Sequence, residues 1–345
     1  MFYKQSYIQS RKTLAEKVGS GLILLLGNDE SPMNYADNGY HFRQDSTFLY
    51  YFGIDFPALA AIIDVENDRQ IIFGDDYTID DIVWMGPQPS IANRAAESGI
   101  TDTKPTTDLA KLLADASWKD REVHFLPPYR PENKLKLQAL LGLHPAEIAQ
   151  KSSLSLIRAV VSQREIKTTE EIREIERAVD LSVDMHVAAM QLARPGMTEA
   201  QIAARVYEIA HAANGEISFP IIATINGQTL HNHYHGNVLK SGDLFLLDAG
   251  GEVESHYCGD LSSTFPVDAT FTAQQKLIYE MSLEAHQAAI DALALHAPFR
   301  NAHLAACRSI TENMKSIGLL KGNTEDIINA GAHALFLPCG TGHMM

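Results

Sequence analysis

The segment DLFLLDAGGEVESHYCGDLSSTFPV, residues 243–267, holds two apolar runs, a glycine pair and two aspartates. The run LFLL reads as a buried strand, and Asp248 ends it where Ala249, Gly250 and Gly251 leave space around a carboxylate. STFPV, residues 263–267, reads as a second strand. Asp260 follows Asp248 by twelve residues, a spacing that lets a hairpin bring the two carboxylates together. Taken singly, either aspartate reads more readily as a turn or strand-end residue than as a ligand.

Working outward, ISFPIIATING (217–227) is a further strand candidate, and the chain on either side is helical in pattern. Ile172, Ile175 and Val179 recur at helix spacing. Thr168 with Glu171, Thr198 with Gln201 and Thr272 with Gln275 match the capping box that opens a helix, and RPG at 194–196 breaks the chain between two of them. Helices beside an antiparallel sheet predict an α+β domain. Before residue 167 the pattern differs. GLILLLGN (21–28) and VHFLPP (123–128) read as buried strands, ALAAIIDVENDRQIIFGDD (58–76) as a hairpin turning at Glu66-Asn67-Asp68, and DLAKLLADAS (108–117) as a helix. That order predicts an α/β domain over residues 1–167, followed by the α+β domain over 168–345.

Composition narrows the function classes. Hydrophobic residues make up 46% and charged residues 21% of the 345, ordinary values for a folded globular protein of two domains. Lys and Arg total 28 against 43 Asp and Glu, giving a formal net charge of -15, and no basic stripe interrupts it, which argues against a nucleic-acid partner. No apolar run is long enough to cross a bilayer, and the charged N-terminus lacks the core of a signal peptide, so no membrane partner and a cytoplasmic location are expected. Cys258, Cys307 and Cys339 are too scattered for a disulfide framework or a CxxC site. Cys258 and Cys307 read as plain unpaired thiols.

Histidines add to the aspartates. In LHNHYHGN, His231, His233 and His235 alternate, which in a strand puts all three on one face, either as a metal site or as a solvated edge. CGTGH places His343 after a glycine-rich turn. Two aspartates and a histidine are donors suited to Mn²⁺, Co²⁺ or Zn²⁺.

The ordered set TLHNH, LLDAGGE, D-x-x-x-TFPV and GxGH resembles the pita-bread metallopeptidases, most closely their aminopeptidase P (Xaa-Pro aminopeptidase) and prolidase branch. YHFRQDSTFLYYFGI (40–54) and VWMGPQ (83–88) resemble that branch's creatinase-type N-terminal domain, while GMTEAQIA and FTAQQKLIYE resemble its helix openings. The resemblance implies an enzyme that removes an N-terminal residue preceding proline. It also implies two divalent metals, most commonly manganese, about 3.5–4 Å apart and sharing a hydroxide that attacks the scissile carbonyl. By motif match, Asp248 and Asp260 are metal ligands, Asp260 bridging, and His343 is a third. His231 corresponds to a catalytic and substrate-engaging histidine beside the metals. His233 and His235 have no implied role and read as exposed. Cys339 stands where the pattern has a substrate-contacting histidine, and Ser263 where some members carry arginine. A thiol is a poorer hydrogen-bond donor than imidazole, so Cys339 is expected to weaken binding or turnover.

Two glutamate ligands complete the family's shell, and none of Glu280, Glu284, Asp291, Glu325 or Asp326 matches their motifs; all five read as solvated helix surface. On the resemblance, the pita-bread domain is therefore incomplete over residues 168–345, and the expectation is little activity and low stability for these residues alone. Three alternatives stay open: a non-catalytic peptide-binding module on the same fold, a prolidase acting on Xaa-Pro dipeptides, and a creatinase-like amidinohydrolase, which the DAG, Asp and His set disfavours. The resemblance also implies a homo-oligomer, through the N-terminal domain.

Overall fold

The aliphatic run near the N-terminus becomes the strand β1 (Leu22–Leu26), buried along most of its length because both of its faces are covered. The computed structural model describes residues 2–115 and 121–343, in two compact units, 1–172 and 173–345. In the first unit β1 follows α1 (Lys4–Val18) and is followed by α2 (Ser46–Phe52), the hairpin β2 (Ala60–Asp64) and β3 (Arg69–Phe73), α3 (Ile79–Met85) and α4 (Ile91–Glu97). Next come β4 (Asp102–Lys104), α5 (Asp108–Ala114), β5 (Val123–His124), α6 (Pro131–Leu141), α7 (Ile148–Lys151) and α8 (Leu154–Arg164). The sheet order is β4-β3-β2-β1-β5, antiparallel among β1, β2 and β3 and parallel at both edges.

Period-two alternation sorts the strand residues between two cores. Ile23, Leu25, Ala61 and Ile72 face Leu14, Phe48, Phe52 and Leu156, whereas Leu24, Ile62, Ile71 and Phe73 face Leu109, Leu137 and Ile148. Arg11 is fully buried in the first layer. Its guanidinium donates to Gln70 Oε1 (2.6 Å), the Tyr51 carbonyl (2.7 Å) and both the hydroxyl and carbonyl of Ser98 (2.8 and 2.7 Å). The VHFLPP strand is shorter than its sequence suggests, and residues 116 and 117 of the 108–117 helix lie outside the described residues.

The second unit is built from α9 (Thr169–Leu192), which opens at the division, α10 (Glu199–Ala212), β6 (Glu216–Ile217), β7 (Ile222–Thr224), β8 (Leu244–Ala249), β9 (Gly251–Glu252) and β10 (Leu261–Pro266). It continues with α11 (Ala273–Asp291), α12 (Arg300–Ser316), α13 (Thr324–Asn329) and a single 3-10 turn, Ala332–Leu335. All three capping boxes form, with reciprocal hydrogen bonds at Thr168 and Glu171, Thr198 and Gln201, and Thr272 and Gln275. β8 is the centre of an antiparallel sheet, β10-β8-β7, and β6 pairs with β9. Phe245, Leu247 and Ala249 alternate into a core with Phe265, Met185, Ile202 and Val206. The same alternation turns Asp248 to the opposite face of β8.

Candidate metal centre

Asp248 pairs in register with Ser262 of β10 and Ile222 of β7. Its Oδ1 is buried without a hydrogen-bond partner. Burial, and then the neighbouring Asp260 charge, push the Asp248 carboxyl above the usual carboxylate range; the Ser262 hydroxyl and the nearby His186 and His231 rings act in the opposite sense. An orphaned anionic oxygen next to a second carboxylate is a costly arrangement for the bare protein and a favourable one for a cation.

Asp260 immediately precedes β10, and the glycines on either side of the turn bring it there. A Cβ on Gly259 would lie 2.6 Å from the Ala178 carbonyl of α9 and collide with the Ser182 hydroxyl, and one on Gly250 would run into the Gly259 carbonyl. Gly259 donates to the Gly251 carbonyl at 2.9 Å, and Ser182 accepts from the Gly251 amide at 2.9 Å while donating to the Ala178 carbonyl at 2.7 Å. Only bare backbone lets the chain carrying Asp260 approach both α9 and the end of β8 this closely.

His343 places Nε2 3.2 Å from Asp260 Oδ2, with 70% of its side chain exposed. His231 is exposed, and its charge is felt at Asp248. Asp248, Asp260, His231 and His343 are thus neighbours in one region. Their carboxylate and ring atoms are nevertheless not drawn into a tight cluster: among the described residues, His303, Cys307 and His333 are the trio with ligand atoms within 4.8 Å of one another. Cys339 is an exposed free thiol. Glu280, Glu284, Asp291, Glu325 and Asp326 are exposed as expected, Glu325 pairing with Arg308 at 2.6 Å.

The histidine segment needs correction. Residues 231–235 form no strand, so the alternating one-face arrangement does not exist. His233 is exposed, but His235 is half-buried, donating from Nε2 to the Ile221 carbonyl at 3.0 Å. The loop takes its path from Glu199, a fully buried carboxylate at the start of α10. Its oxygens accept from Thr224 Oγ1 (3.0 Å), the Ile225 amide (2.9 Å), the Asn237 amide (3.1 Å) and Asn237 Nδ2 (2.9 Å).

Two further residues escaped the sequence reading. Glu199 gave no sign beyond its place in the first turn of a helix. His186 sits among the buried positions of α9 with Ala178, Ser182, Met185 and Ala189, a stripe that could have singled it out. Its Nε2 donates to the Ala249 carbonyl at 3.0 Å and its Nδ1 meets Ser263 Oγ at 2.8 Å. Because a carbonyl only accepts, Nε2 carries the proton and neutral Nδ1 accepts from the Ser263 hydroxyl. Burial pushes the His186 pKa down, in keeping with that neutral state. His186 therefore ties β8 to β10 beside Asp248, and Ser263 is its partner.

With this fold and site, the chain belongs to metallopeptidase family M24, which matches residues 173–345; residues 7–124 match the aminopeptidase P N-terminal domain. The architecture is accordingly a creatinase-type α/β domain followed by an α+β pita-bread domain. The chain is 30% identical over 338 residues to a probable Xaa-Pro aminopeptidase of Chaetomium globosum, covering 96% of this chain and 55% of that protein. Against another from Sordaria macrospora the identity is 31% over 347 residues, covering 96% and 58%. The chain thus spans little more than half the length of these two relatives. Human Xaa-Pro dipeptidase is 26% identical over 347 residues, covering 97% of this chain and 69% of the human protein. Among solved structures, Pseudomonas aeruginosa aminopeptidase PepP superposes with a TM-score of 0.86 at 25% identity, covering 97% of this chain and 78% of that one. A zinc-substituted Escherichia coli aminopeptidase P in complex with product gives 0.82 at 23%, with the same coverage.

Proposed function

We propose that the protein is a metal-dependent Xaa-Pro aminopeptidase, with Asp248, Asp260 and His343 as ligands and His231 as the catalytic and substrate-engaging histidine. The observation that carries the reading is the orphaned, buried Asp248 Oδ1 beside Asp260, which in turn meets His343. These donors suit a divalent cation with oxygen and imidazole preferences, and manganese is the proposed metal, two per site with all ligands in place. Such a metal supplies Lewis-acid polarisation of the scissile carbonyl and a water nucleophile active at neutral pH. The chain's own residues do the rest. Asp248 and Asp260 concentrate negative charge on the open face of β8, His186 and Ser263 hold β8 and β10 in the register that keeps the carboxylates adjacent, and exposed His231 and Cys339 are available to the peptide.

Peptides with proline in second position are the proposed substrates. Proline has no amide hydrogen and a fixed φ, so accepting it requires a site shaped for the ring. We further propose 1–167 and 168–345 as the domains, supported by the non-helical residues 165–168 between α8 and α9, with a cytoplasmic location and a homo-oligomer. No described helix is long and apolar enough to cross a membrane.

The test uses the protein expressed from its own gene and loaded with Mn²⁺. The expected result is release of the first residue from an Xaa-Pro peptide, no release when alanine replaces the proline, and loss of activity in Asp260→Asn. Release that ignores the second residue overturns the reading. The similarity to human Xaa-Pro dipeptidase supports a prolidase as second reading, distinguished by cleavage of dipeptides but not of longer peptides.

A further inference from the structure

A second group of ligand-bearing side chains lies in the same unit, on other elements. His303 and Cys307 are one turn apart on α12, and His333 comes from the 3-10 turn, Ala332–Leu335. One ligand atom from each lies within 4.8 Å of those of the other two. Cys307 is completely buried, and its Sγ lies 3.4 Å from His303 Nε2. The opposite nitrogen of His303, Nδ1, meets Thr341 Oγ1 at 2.9 Å. His333 is half-buried, and its Nδ1 is shut off from solvent with no hydrogen-bond partner.

We propose that His303, Cys307 and His333 form a zinc site, separate in donor chemistry from the aspartate centre. Zinc bonds of about 2.0–2.1 Å to nitrogen and about 2.3 Å to sulfur, in tetrahedral geometry, place neighbouring ligand atoms roughly 3.3–3.6 Å apart. The His303 and Cys307 atoms already have that separation, and the third, within 4.8 Å of both, needs to close by at most about 1.5 Å, within the reach of side-chain rotation. Two imidazoles and a thiolate select a borderline-soft ion such as zinc over a hard one such as manganese. Thr341 does for His303 what an outer-shell partner does in established metal sites, orienting the ring and settling which nitrogen faces the metal. A buried imidazole nitrogen with no partner is the kind of unsatisfied group that a ligand explains.

The site would act as a clip. Leu337 packs on Ala289, Ala302 and Ala306, so the segment after the 3-10 turn already leans on α11 and α12. The same segment runs on through Cys339 and Thr341 to His343, which meets Asp260. A zinc ion joining α12 to His333 fixes the start of that segment, while the Thr341 contact with His303 couples its far end to the same ion. Binding displaces the thiol proton of Cys307, so affinity falls with falling pH. The proposal does not depend on the peptidase reading, since neither aspartate takes part.

Cobalt titration of the full chain separates the two sites, because a thiolate ligand gives Co²⁺ a near-ultraviolet charge-transfer band that carboxylate and imidazole do not. The expected result is a band that saturates at one Co²⁺ per chain, is abolished by zinc, and survives in Cys339→Ser and Asp248→Asn. It should be lost in Cys307→Ser and in His333→Gln; the latter replaces a half-buried side chain and keeps the test open if burial makes the cysteine variant fold poorly. Cobalt binding without the band, no cobalt binding, or a band that persists in Cys307→Ser or disappears in Cys339→Ser overturns the proposal.

Discussion

Removing the Glu199 carboxylate should loosen the loop that carries His231 before it affects the strands beneath. Glu199 is fully buried and accepts from Thr224, Ile225 and Asn237. In Glu199→Ala those donors lose their acceptor inside the protein. The Thr224 hydroxyl oxygen already accepts from the Asn226 amide (3.0 Å) and Asn232 Nδ2 (3.2 Å), so it has little freedom to turn elsewhere. Each donor left unsatisfied in the interior costs about 1–3 kcal/mol, and water reaches the half-buried Ile225 and Asn237 more readily than Thr224. A net loss of about 4 kcal/mol follows, a large part of the roughly 5–15 kcal/mol that stabilises a typical domain. Glu199→Gln keeps one acceptor oxygen but turns an amide toward the Asn237 donors, so about half that loss is expected. With a urea slope near 3 kcal/mol per M, the alanine variant should lower the unfolding midpoint by about 1.3 M. Amide exchange at Ile225 and Asn237 should accelerate in both variants. An alanine variant within about 1 kcal/mol of the native protein, or unchanged exchange at those two amides, refutes the reasoning.

Gly259→Ala should cost about 2–3 kcal/mol and weaken divalent-metal binding, because its Cβ meets the Ala178 carbonyl and Ser182 and forces the Asp260 segment off α9; thermal unfolding and metal titration measure the two effects. A variant that binds metal as tightly as the native protein would show that this approach does not position Asp260. His186 provides a pH test. Its folded-state pKa is lowered by burial, so the unfolded chain protonates first and stability is lost as pH falls below about 6.5, with no contribution above that. The stability gap between the native protein and His186→Gln, read from urea midpoints, should therefore shrink between about pH 7 and about pH 5. A constant or widening gap refutes a neutral buried His186.

Much of this architecture follows from short-range patterns. Alternation in LILLL and LFLLDA sets strands and faces, and because side chains alternate with period two, Asp248 had to point away from Phe245 and Leu247 once those were core. The three capping boxes closed because both partners lie within four residues of each other. The interval between Asp248 and Asp260 brings them near one another because the glycine-rich connection through β9 doubles back to pair β10 with β8. The one-face arrangement that a strand would give residues 231–235 is absent for the opposite reason. Beyond a local bond from the Tyr234 amide to the Asn232 side chain, the segment's path is set from a distance: His235 meets the Ile221 carbonyl, and Glu199, 38 residues from Asn237 in sequence, anchors the end of the loop. His186 and the Ala249 carbonyl are 63 residues apart, and Arg11 finds Ser98 across 87. His303 and Cys307 lie a helical turn apart, yet nothing in the sequence joins them to His333. The sequence by itself determined the periodic elements, their caps and the carboxylate pair, because those depend on neighbours along the chain. Only the tertiary structure decided which polar groups are buried and what each one meets, because a buried donor or acceptor is tolerated only where a distant segment supplies its partner.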